Sequence, residues 1–355
     1  MLPFFRKIRY RLAKDNQFFK YSRYAIGEIV LVVVGILIAL YINNWNEERK
    51  QREKFDQVLV EVEKELISNI RGCRKAIEDY HRTDSVVNRI LFDSLTMNDF
   101  RRDTLFELSR FFRYYSRVTI KKNAFEKLLE ISENISVQQD SIHERLKQLY
   151  IDALWGVETY DIQMLNLTSD VKNSYKRYNW FFDWIGFRSH SDDMDRFFLE
   201  DPEHKANVAL FAQTGLWDHR QYLELFESMA RKSYNEIHNY LSSSDTNHTD
   251  SLLFTYDPED YKHYLGTYHT NWHSSPLVGL VRDSIEIRIQ NQKLILTAYY
   301  PNRDNDTLEI IPVTKLYFRY DDGFGSHRLI FNENDEVVGL NYSQGISLIR
   351  HVKKR

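Results

Sequence analysis

The sequence predicts an α+β protein made of an N-terminal transmembrane helix, an exported helical bundle with a long stalk helix, and a C-terminal antiparallel β-barrel-like domain. Three observations support this prediction. A single long apolar run lies near the N-terminus, no proline occurs between residues 4 and 201, and residues 257–355 change to short alternating apolar runs. These patterns are typical of a membrane span, of helices and of strands, respectively.

The composition excludes several classes of protein. Of the 355 residues, 43% are hydrophobic and 28% are charged, which is ordinary for a chain that folds. The single cysteine, Cys73, excludes an internal disulfide framework and a thiolate metal cluster. The net charge is −3, and basic residues are concentrated in the first 24 positions. Nucleic acid is therefore not expected as a partner, because the basic surface of such a protein belongs to a folded domain.

The apolar run covers residues 25–42 and contains one charged residue, Glu28. A helix of this length spans about 27 Å, close to the hydrocarbon thickness of a bilayer. Tyr24 precedes the run, and Tyr41 and Trp45 lie at its other end, where interfacial aromatics are expected. We interpret the run as an uncleaved anchor in the lipid bilayer. A buried core helix and a cleaved signal peptide are the alternatives.

Basic residues predict the orientation of this anchor. Seven Lys or Arg residues precede the run and four follow it closely, which places residues 1–24 in the cytoplasm. The later domains would then lie in the periplasm, and the protein in the cell inner membrane. Residues 1–24 form either a basic amphipathic helix on the membrane surface or a disordered basic flank. Gly35 and Ala39 form a small-xxx-small pair that would permit homo-oligomers through the membrane helix.

The exported helical domain is assigned to residues 43–245. Its first helix carries one apolar stripe with a step close to 3.6, which favours a straight helix packed on neighbours over a strict coiled coil. Asp84 interrupts the stripe, and Cys73 lies on it as a small core residue. The stripe consists of Phe55, Leu59, Val62, Leu66, Ile70, Cys73, Ile77, Tyr80, Val87 and Leu91.

Capping signals predict the later helices of this domain. Asp201 and Pro202 mark a helix start, with proline at the first helical position. Gly215 is expected just beyond the end of that helix. Asp218 with Gln221 is then expected to open the next one.

The second unit is assigned to residues 257–355. About eight alternating runs, at roughly ten-residue spacing, predict a closed or nearly closed antiparallel barrel. Asn291 and Gln292 lie between two of these runs as a predicted turn.

Two resemblances accompany these patterns. The block AIGEIVLVVVGILIALYINNWNEERK at 25–50 resembles an uncharacterised family of single-pass membrane proteins of Gram-negative bacteria, and NAFEKLLEISENIS at 123–136 is a looser match. That family, a domain of unknown function, implies no activity. Residues 257–355, through YLGTY at 264–268 and IPV at 311–313, resemble the lipocalin-like β-domain appended to some exported serine hydrolases. This second resemblance implies an accessory or ligand-contacting module.

Motifs for catalysis are sparse. Ser169 and Lys172 fit S-x-x-K, but the sequence has no K-T-G partner for them. His143 and Glu144 begin like a zincin helix, but Lys147 occupies the place of the second histidine. We therefore assign no catalytic, cofactor-binding or metal-binding residue and expect no cofactor.

Two further clusters leave alternatives open. His263, His269 and His273 would share one face of a single extended strand and could bind a metal ion, but surface or hydrogen-bonded histidines are the expected state. A dense aromatic segment predicts core packing, with a sugar or peptide platform as the alternative. It contains Tyr178, Trp180, Phe181, Phe182, Trp184 and Phe187.

An Asp-Ser/Thr-aliphatic pattern occurs seven times and is similar to an acceptor sequence for O-glycosylation in some of these bacteria. Helix or strand starts, where Asp and Ser are favoured, explain it equally well. The aspartates are Asp84, Asp93, Asp103, Asp140, Asp250, Asp283 and Asp306.

These features predict a membrane-anchored exported protein that acts as a non-catalytic module for binding a ligand, a protein or an envelope partner. Whether it is an enzyme stays open. The alternative is a cell-envelope hydrolase with its site between the helical and β domains.

Overall fold

The computed structural model describes residues 17–115, 117–131, 137–242, 256–271, 283–301, 303–314, 317–320, 326–332, 334, 336–344 and 347–353. The predicted α+β class is confirmed, with helices first and strands last. The amphipathic pattern expected before residue 17 lies outside the described residues.

The first helix, α1, runs without interruption through Gln17–Phe92. Its 76 residues correspond to about 114 Å. An 18-residue window near its start has a mean hydropathy of 2.7, and none of that window is buried. This exposure argues against the core helix of a soluble protein, whereas a membrane span and a signal anchor both fit it.

Further helices complete the first unit, and two of the junctions between them are π-helical. The chain passes through both junctions without a break, since each π-helical segment directly adjoins the helices on either side of it. The helices are α2 (Met97–Arg102), α3 (Asn123–Ile131), α4 (Val137–Lys147), α5 (Leu154–Tyr175), α6 (Phe181–Ile185), α7 (Asp192–Glu200), α8 (Pro202–Phe211) and α9 (Arg220–Ser242); the π-helical segments are Gln148–Ala153, between α4 and α5, and Ala212–His219, between α8 and α9.

Contacts between helices define a bundle that runs along α1. Helix α5 runs parallel to α1, away from the apolar segment. Tyr150, just before α5, contacts Glu65, and Asp161 on α5 lies beside Tyr80. Helix α9 returns in the opposite direction. Its His219 end meets Tyr80 and its other end, at Tyr240, meets Asp56. The chain therefore reverses direction through α6, α7 and α8. We call this part of the bundle, which lies farthest from the apolar segment, the distal end.

The apolar stripe of α1 is confirmed as the core side of this helix. All of its members are buried except Leu91, which is partly buried, and Cys73 is fully buried, as expected for a small core residue. The interrupting residue, Asp84, is also buried. It accepts a hydrogen bond from the Tyr317 hydroxyl at 3.4 Å, so the break in the stripe is where the β unit contacts α1.

The cap at Asp201 is confirmed, because its carboxylate accepts the backbone N–H of Glu203 and Pro202 is the first helical residue. The predicted stop at Gly215 and the start at Asp218 are wrong. Both residues lie inside the second π-helical segment, which continues directly into α9. Gly215 serves close packing instead, since a Cβ there would lie 2.8 Å from Cε of Met164.

The second unit begins with a short 3-10 helix, Pro258–Tyr264, and continues as a closed meander in which each strand pairs antiparallel with the next and β8 pairs with β1. This pairing confirms the predicted antiparallel, barrel-like architecture of the second unit. The strands are β1 (Gly266–Asn271), β2 (Ser284–Gln290), β3 (Lys293–Tyr299), β4 (Asp306–Thr314), β5 (Tyr317–Tyr320), β6 (Ser326–Phe331), β7 (Val337–Gln344) and β8 (Ser347–Lys353).

The barrel interior is filled by side chains that alternate along the strands, including Ile285 and Ile287 on β2 and Leu294 and Leu296 on β3. The predicted turn between these strands is confirmed. Asn291 and Gln292 have φ angles of 51° and 58°, which suits the two-residue turn that matches strand twist.

Candidate functional site

The distal end of the bundle concentrates aromatic side chains from three segments of the chain. Trp184 on α6 is fully buried and donates its indole N–H to Ser109 Oγ at 3.1 Å. Tyr175, at the end of α5, packs against Phe197 and Phe198 of α7 in edge-to-face contacts. Such contacts between aromatic rings stabilise a packed cluster beyond their buried area. The cluster fixes the loop that leads from α5 into α6.

A cleft of about 550 Å³ opens at this end, over the aromatic cluster. Its volume lies within the usual range for small-molecule sites. Tyr178 and Trp180 form one wall, with their rings stacked at 5.0 Å and inclined by 10°. The remaining lining is polar or charged except for one phenylalanine and one proline; it consists of Asn179, Asp193, Arg196, Phe197, Glu200, Asp201 and Pro202.

Local capping explains why these side chains surround the cleft. Ser191 caps α7 by accepting the backbone N–H of Met194, so the first turn of α7 presents Asp193 to the cleft. Asp201 caps α8 and lies at the other side. Arg177 pairs with Glu203 and also donates to the Tyr178 hydroxyl at 3.2 Å, which holds the Tyr178 ring in place.

His204 lies directly below this region and is fully buried. Its Nδ1 is 3.1 Å from the Tyr175 hydroxyl, and its ring meets the ring of Phe198 edge to face. Burial lowers the pKa of His204 to about 3. The imidazole is therefore neutral at physiological pH and belongs to the aromatic core, not to the polar wall of the cleft.

The two residues that fit S-x-x-K do not line this cleft. Ser169 and Lys172 are exposed on α5. The Lys172 ammonium lies 5.4 Å from the centroid of the Phe112 ring, a cation–π contact. The contact between bundle and barrel, where a hydrolase site was considered, includes a buried Tyr317 ring whose centroid lies 3.6 Å from that of the His81 ring.

His143 and Glu144, the residues that begin like a zincin helix, lie close to Asp140. Ligand atoms of Asp140, His143 and Glu144 on α4 lie within 4.8 Å of one another, so these residues could hold a metal ion. Lys147 donates to the Glu144 carboxylate at 2.7 Å and would compete with such an ion. Burial, followed by the Lys147 charge, lowers the pKa of His143.

The three C-terminal histidines do not share one strand. His263 belongs to the 3-10 helix before β1, whereas His269 is an exposed residue of β1 paired with Ser284. The expected common face is wrong for this pair because the chain turns helical before the strand begins. His273 lies outside the described residues.

The aromatic segment divides between the two interpretations. Trp180 and Trp184 are buried, as predicted for core residues, whereas Phe182 and Phe187 are exposed.

Among the Asp-Ser/Thr positions, Asp84 is buried against the barrel, and Asp103 accepts the backbone N–H of Leu108. Asp250 lies outside the described residues.

A buried polar layer across the middle of the bundle was not predicted. The Tyr80 hydroxyl is 2.6 Å from Nδ1 of His219, and Arg74 donates to the Glu227 carboxylate at 2.7 Å. Burial lowers the pKa of His219 to about 4. The partners are more than 130 residues apart in sequence, so periodicity could not pair them.

Comparisons with known proteins give one match. A family model described as "Family of unknown function (DUF6090)" matches residues 28–179, which cover the apolar helix, the rest of α1 and the bundle up to the loop before α6. Searches of curated proteins and of solved structures found no match. The matched family therefore supports an uncharacterised domain in the first half of the chain and assigns it no activity.

Proposed function

We propose that this chain is a membrane-anchored exported protein that presents a non-catalytic binding cleft to the cell envelope. The anchor is the apolar start of α1, the N-terminus faces the cytoplasm, and both folded units face the periplasm. The barrel is an accessory module, in keeping with its eight-stranded meander and with the lipocalin-like resemblance.

The continuity of α1 carries this proposal. The helix extends 50 residues beyond Ile42, about 75 Å, so it would hold the distal end well away from the bilayer. The cleft lies at that end, between the loop joining α5 to α6 and the junction of α7 with α8. A small-molecule site at the far end of a rigid stalk suits a ligand that belongs to the envelope and not to the membrane.

The chemistry of the cleft favours a carbohydrate. The half-buried Tyr178 offers ring surface to the C–H faces of a sugar, and Asn179, Asp193 and Glu200 offer acceptors for hydroxyl groups. Three carboxylates against the single guanidinium of Arg196 disfavour a polyanion. We therefore propose a neutral or amine-bearing oligosaccharide as the ligand class.

Calorimetric titration of the full chain in nanodiscs tests this proposal. The probe is a soluble disaccharide–peptide fragment of bacterial cell wall. We expect saturable binding, weakened at least about tenfold by Asp193→Ala with Arg196→Ala, because each removes a polar contact worth about 1 kcal/mol or more. Asp152→Ala with Lys64→Ala removes exposed charges of both signs elsewhere on the bundle and is the matched control.

The control pair should bind like the parent chain. Saturable binding that both pairs of variants retain would place the ligand elsewhere, and a chain that releases no heat with the fragment would contradict the ligand class. Hydrolysis of the fragment during titration would instead favour the hydrolase alternative.

A further inference from the structure

A second surface at the distal end combines exposed apolar side chains with arginines. Leu105, Phe182, Ile185 and Phe187 expose 53%, 61%, 39% and 48% of their surface. We call them, with the arginines described next, the tip patch. Large apolar side chains exposed together mark interaction surfaces more often than single ones do.

Contacts join these residues into one patch. The Arg110 guanidinium lies 3.7 Å from the centroid of the Phe187 ring and donates to the Ile185 carbonyl at 3.2 Å. Arg113 lies 5.7 Å from the Phe187 ring and donates to the Leu105 carbonyl at 2.9 Å. Arg188 lies over Phe182 at 4.1 Å.

These three guanidiniums carry charge that the described part of the chain does not neutralise. Within the described residues, Arg110, Arg113 and Arg188 make ring and carbonyl contacts but no ion pair with a carboxylate. Burial, followed by repulsion from the neighbouring Arg113 charge, lowers the pKa of Arg110. An anionic occupant would relieve that repulsion.

The backbone is strained at the same place. Phe106 and Phe187 have φ angles of 57° and 52°, in the left-handed region that bulky residues rarely adopt. Their rings meet edge to face at 5.9 Å, with Phe106 buried and Phe187 exposed. Strain that holds a phenylalanine ring out into solvent, between two arginines, is more often kept for binding than for folding.

We propose that the tip patch docks onto an anionic lipid surface separate from the bilayer that holds the anchor. Exposed aromatic and aliphatic side chains interleaved with arginines are the composition that binds at a membrane interface, where apolar groups enter the acyl boundary and guanidiniums meet phosphates. Since α1 is continuous, about 75 Å of helix separate the patch from the anchor. This inference rests on the proposed anchor.

Vesicle co-flotation tests it with the full chain in nanodiscs of neutral lipid. Failure of the chain to enter nanodiscs overturns the anchor and not the patch. Loaded nanodiscs are mixed with vesicles of phosphatidylcholine, or of phosphatidylcholine with about a third phosphatidylglycerol, a content chosen so that surface charge attracts basic groups. We expect binding to the anionic vesicles only, weakened as salt is raised.

Two pairs of variants separate the apolar and the charged contributions. Phe182→Ser with Phe187→Asn, where Asn tolerates left-handed backbone, should weaken vesicle binding at least about tenfold, and Arg113→Gln with Arg188→Gln by a similar factor. Ile162→Ser with Leu165→Ser is the matched control, since these α5 residues expose 54% and 48%. Circular dichroism confirms that each variant is folded.

Equal binding to neutral and anionic vesicles, or full binding by both pairs of patch variants, would overturn the proposal. The proposal would also be overturned if the chain did not bind vesicles and if positions 182 and 187 crosslinked to an acidic protein in native membranes. That result would assign the patch to a protein partner.

Discussion

The helical bundle and the barrel differ in what they bury. Across its middle the bundle buries ion pairs and histidines, such as Arg74 with Glu227 and His219 with Tyr80. Among the described residues of the barrel, the buried polar side chains are Ser284, Thr297 and His327, in an otherwise apolar and aromatic interior. The bundle core therefore depends on specific pairs of polar side chains, whereas the barrel core depends on alternating apolar side chains that fill its volume.

The largest expected effect tests whether the two cores are independent. Leu296→Ala removes a fully buried side chain from the barrel and should lower its free energy of unfolding by about 2–5 kcal/mol. Hydrogen exchange measured by mass spectrometry should show faster exchange in the barrel strands and unchanged exchange in α5 and α9. Equal acceleration in both units would mean that they unfold together.

A smaller loss is expected from the polar layer of the bundle. Arg74→Ala removes the guanidinium that donates to the Glu227 carboxylate, a group that is only 1% exposed. We expect a loss of roughly 3 kcal/mol, at the lower end of the range for a broken buried pair because a third of Arg74 is exposed. Chemical denaturation followed by circular dichroism measures it.

Arg82→Ala is the control, because its partner Glu78 is exposed on the same helix and the pair should contribute under about 1 kcal/mol. Similar losses for both variants would contradict the view that the polar layer specifies the bundle.

The polar layer should also make stability depend on pH. Burial lowers the pKa of His219 to about 4, whereas an unfolded histidine titrates near 6.5. Below pH 6.5 the unfolded chain binds the proton first, so stability falls as the pH drops toward 4, by about 1.4 kcal/mol per pH unit for this residue. His219→Gln should reduce the slope by this amount in denaturation curves recorded at successive pH values, and the contribution of buried His204, whose pKa is lowered to about 3, should remain.

His269→Gln, at an exposed barrel position, should leave the slope unchanged. A slope that survives His219→Gln intact would show that this histidine is not the titrating group.

The smallest effect is expected where the two units meet. Tyr317→Phe removes the hydroxyl that donates to the His81 carbonyl at 3.1 Å and to Asp84, and keeps the contact between the rings of residues 317 and 81. We expect docking of barrel to bundle to weaken by about 1 kcal/mol. Faster hydrogen exchange in β5, measured by mass spectrometry, reports this loosening, and unchanged exchange would show that the hydroxyl does not contribute to the contact.

Much of the fold could be predicted from the sequence. The stripe on α1 and the alternation in the strands are local patterns, and each maps directly onto one buried face. The continuation through Gly215 could not be predicted, because the signal for a helix end was real but the glycine is needed to fit against Met164 and Tyr80. Tertiary packing overrode a local rule there.

The candidate site was only partly predictable. The aromatic segment was found, but its division into buried Trp180 and Trp184 and exposed Phe182 and Phe187 depends on where α7 packs. The sequence does not predict that Arg196 and Asp193 line the cleft, because isolated charges on a short helix form no recognisable pattern. The left-handed backbone at Phe106 and Phe187 has no sequence signal, since glycine or asparagine would be expected there.

The central claim is that α1 is one rigid helix that joins the apolar segment to the distal end. The most direct measurement is the distance between spin labels at Glu48 and Arg82, both exposed, in the full chain in nanodiscs with buried Cys73 changed to alanine. A continuous helix predicts a narrow distribution near 51 Å, from 34 residues at about 1.5 Å each. A broad distribution, or one centred well below about 40 Å, would show that α1 is broken between the anchor and the domains, and would contradict the account.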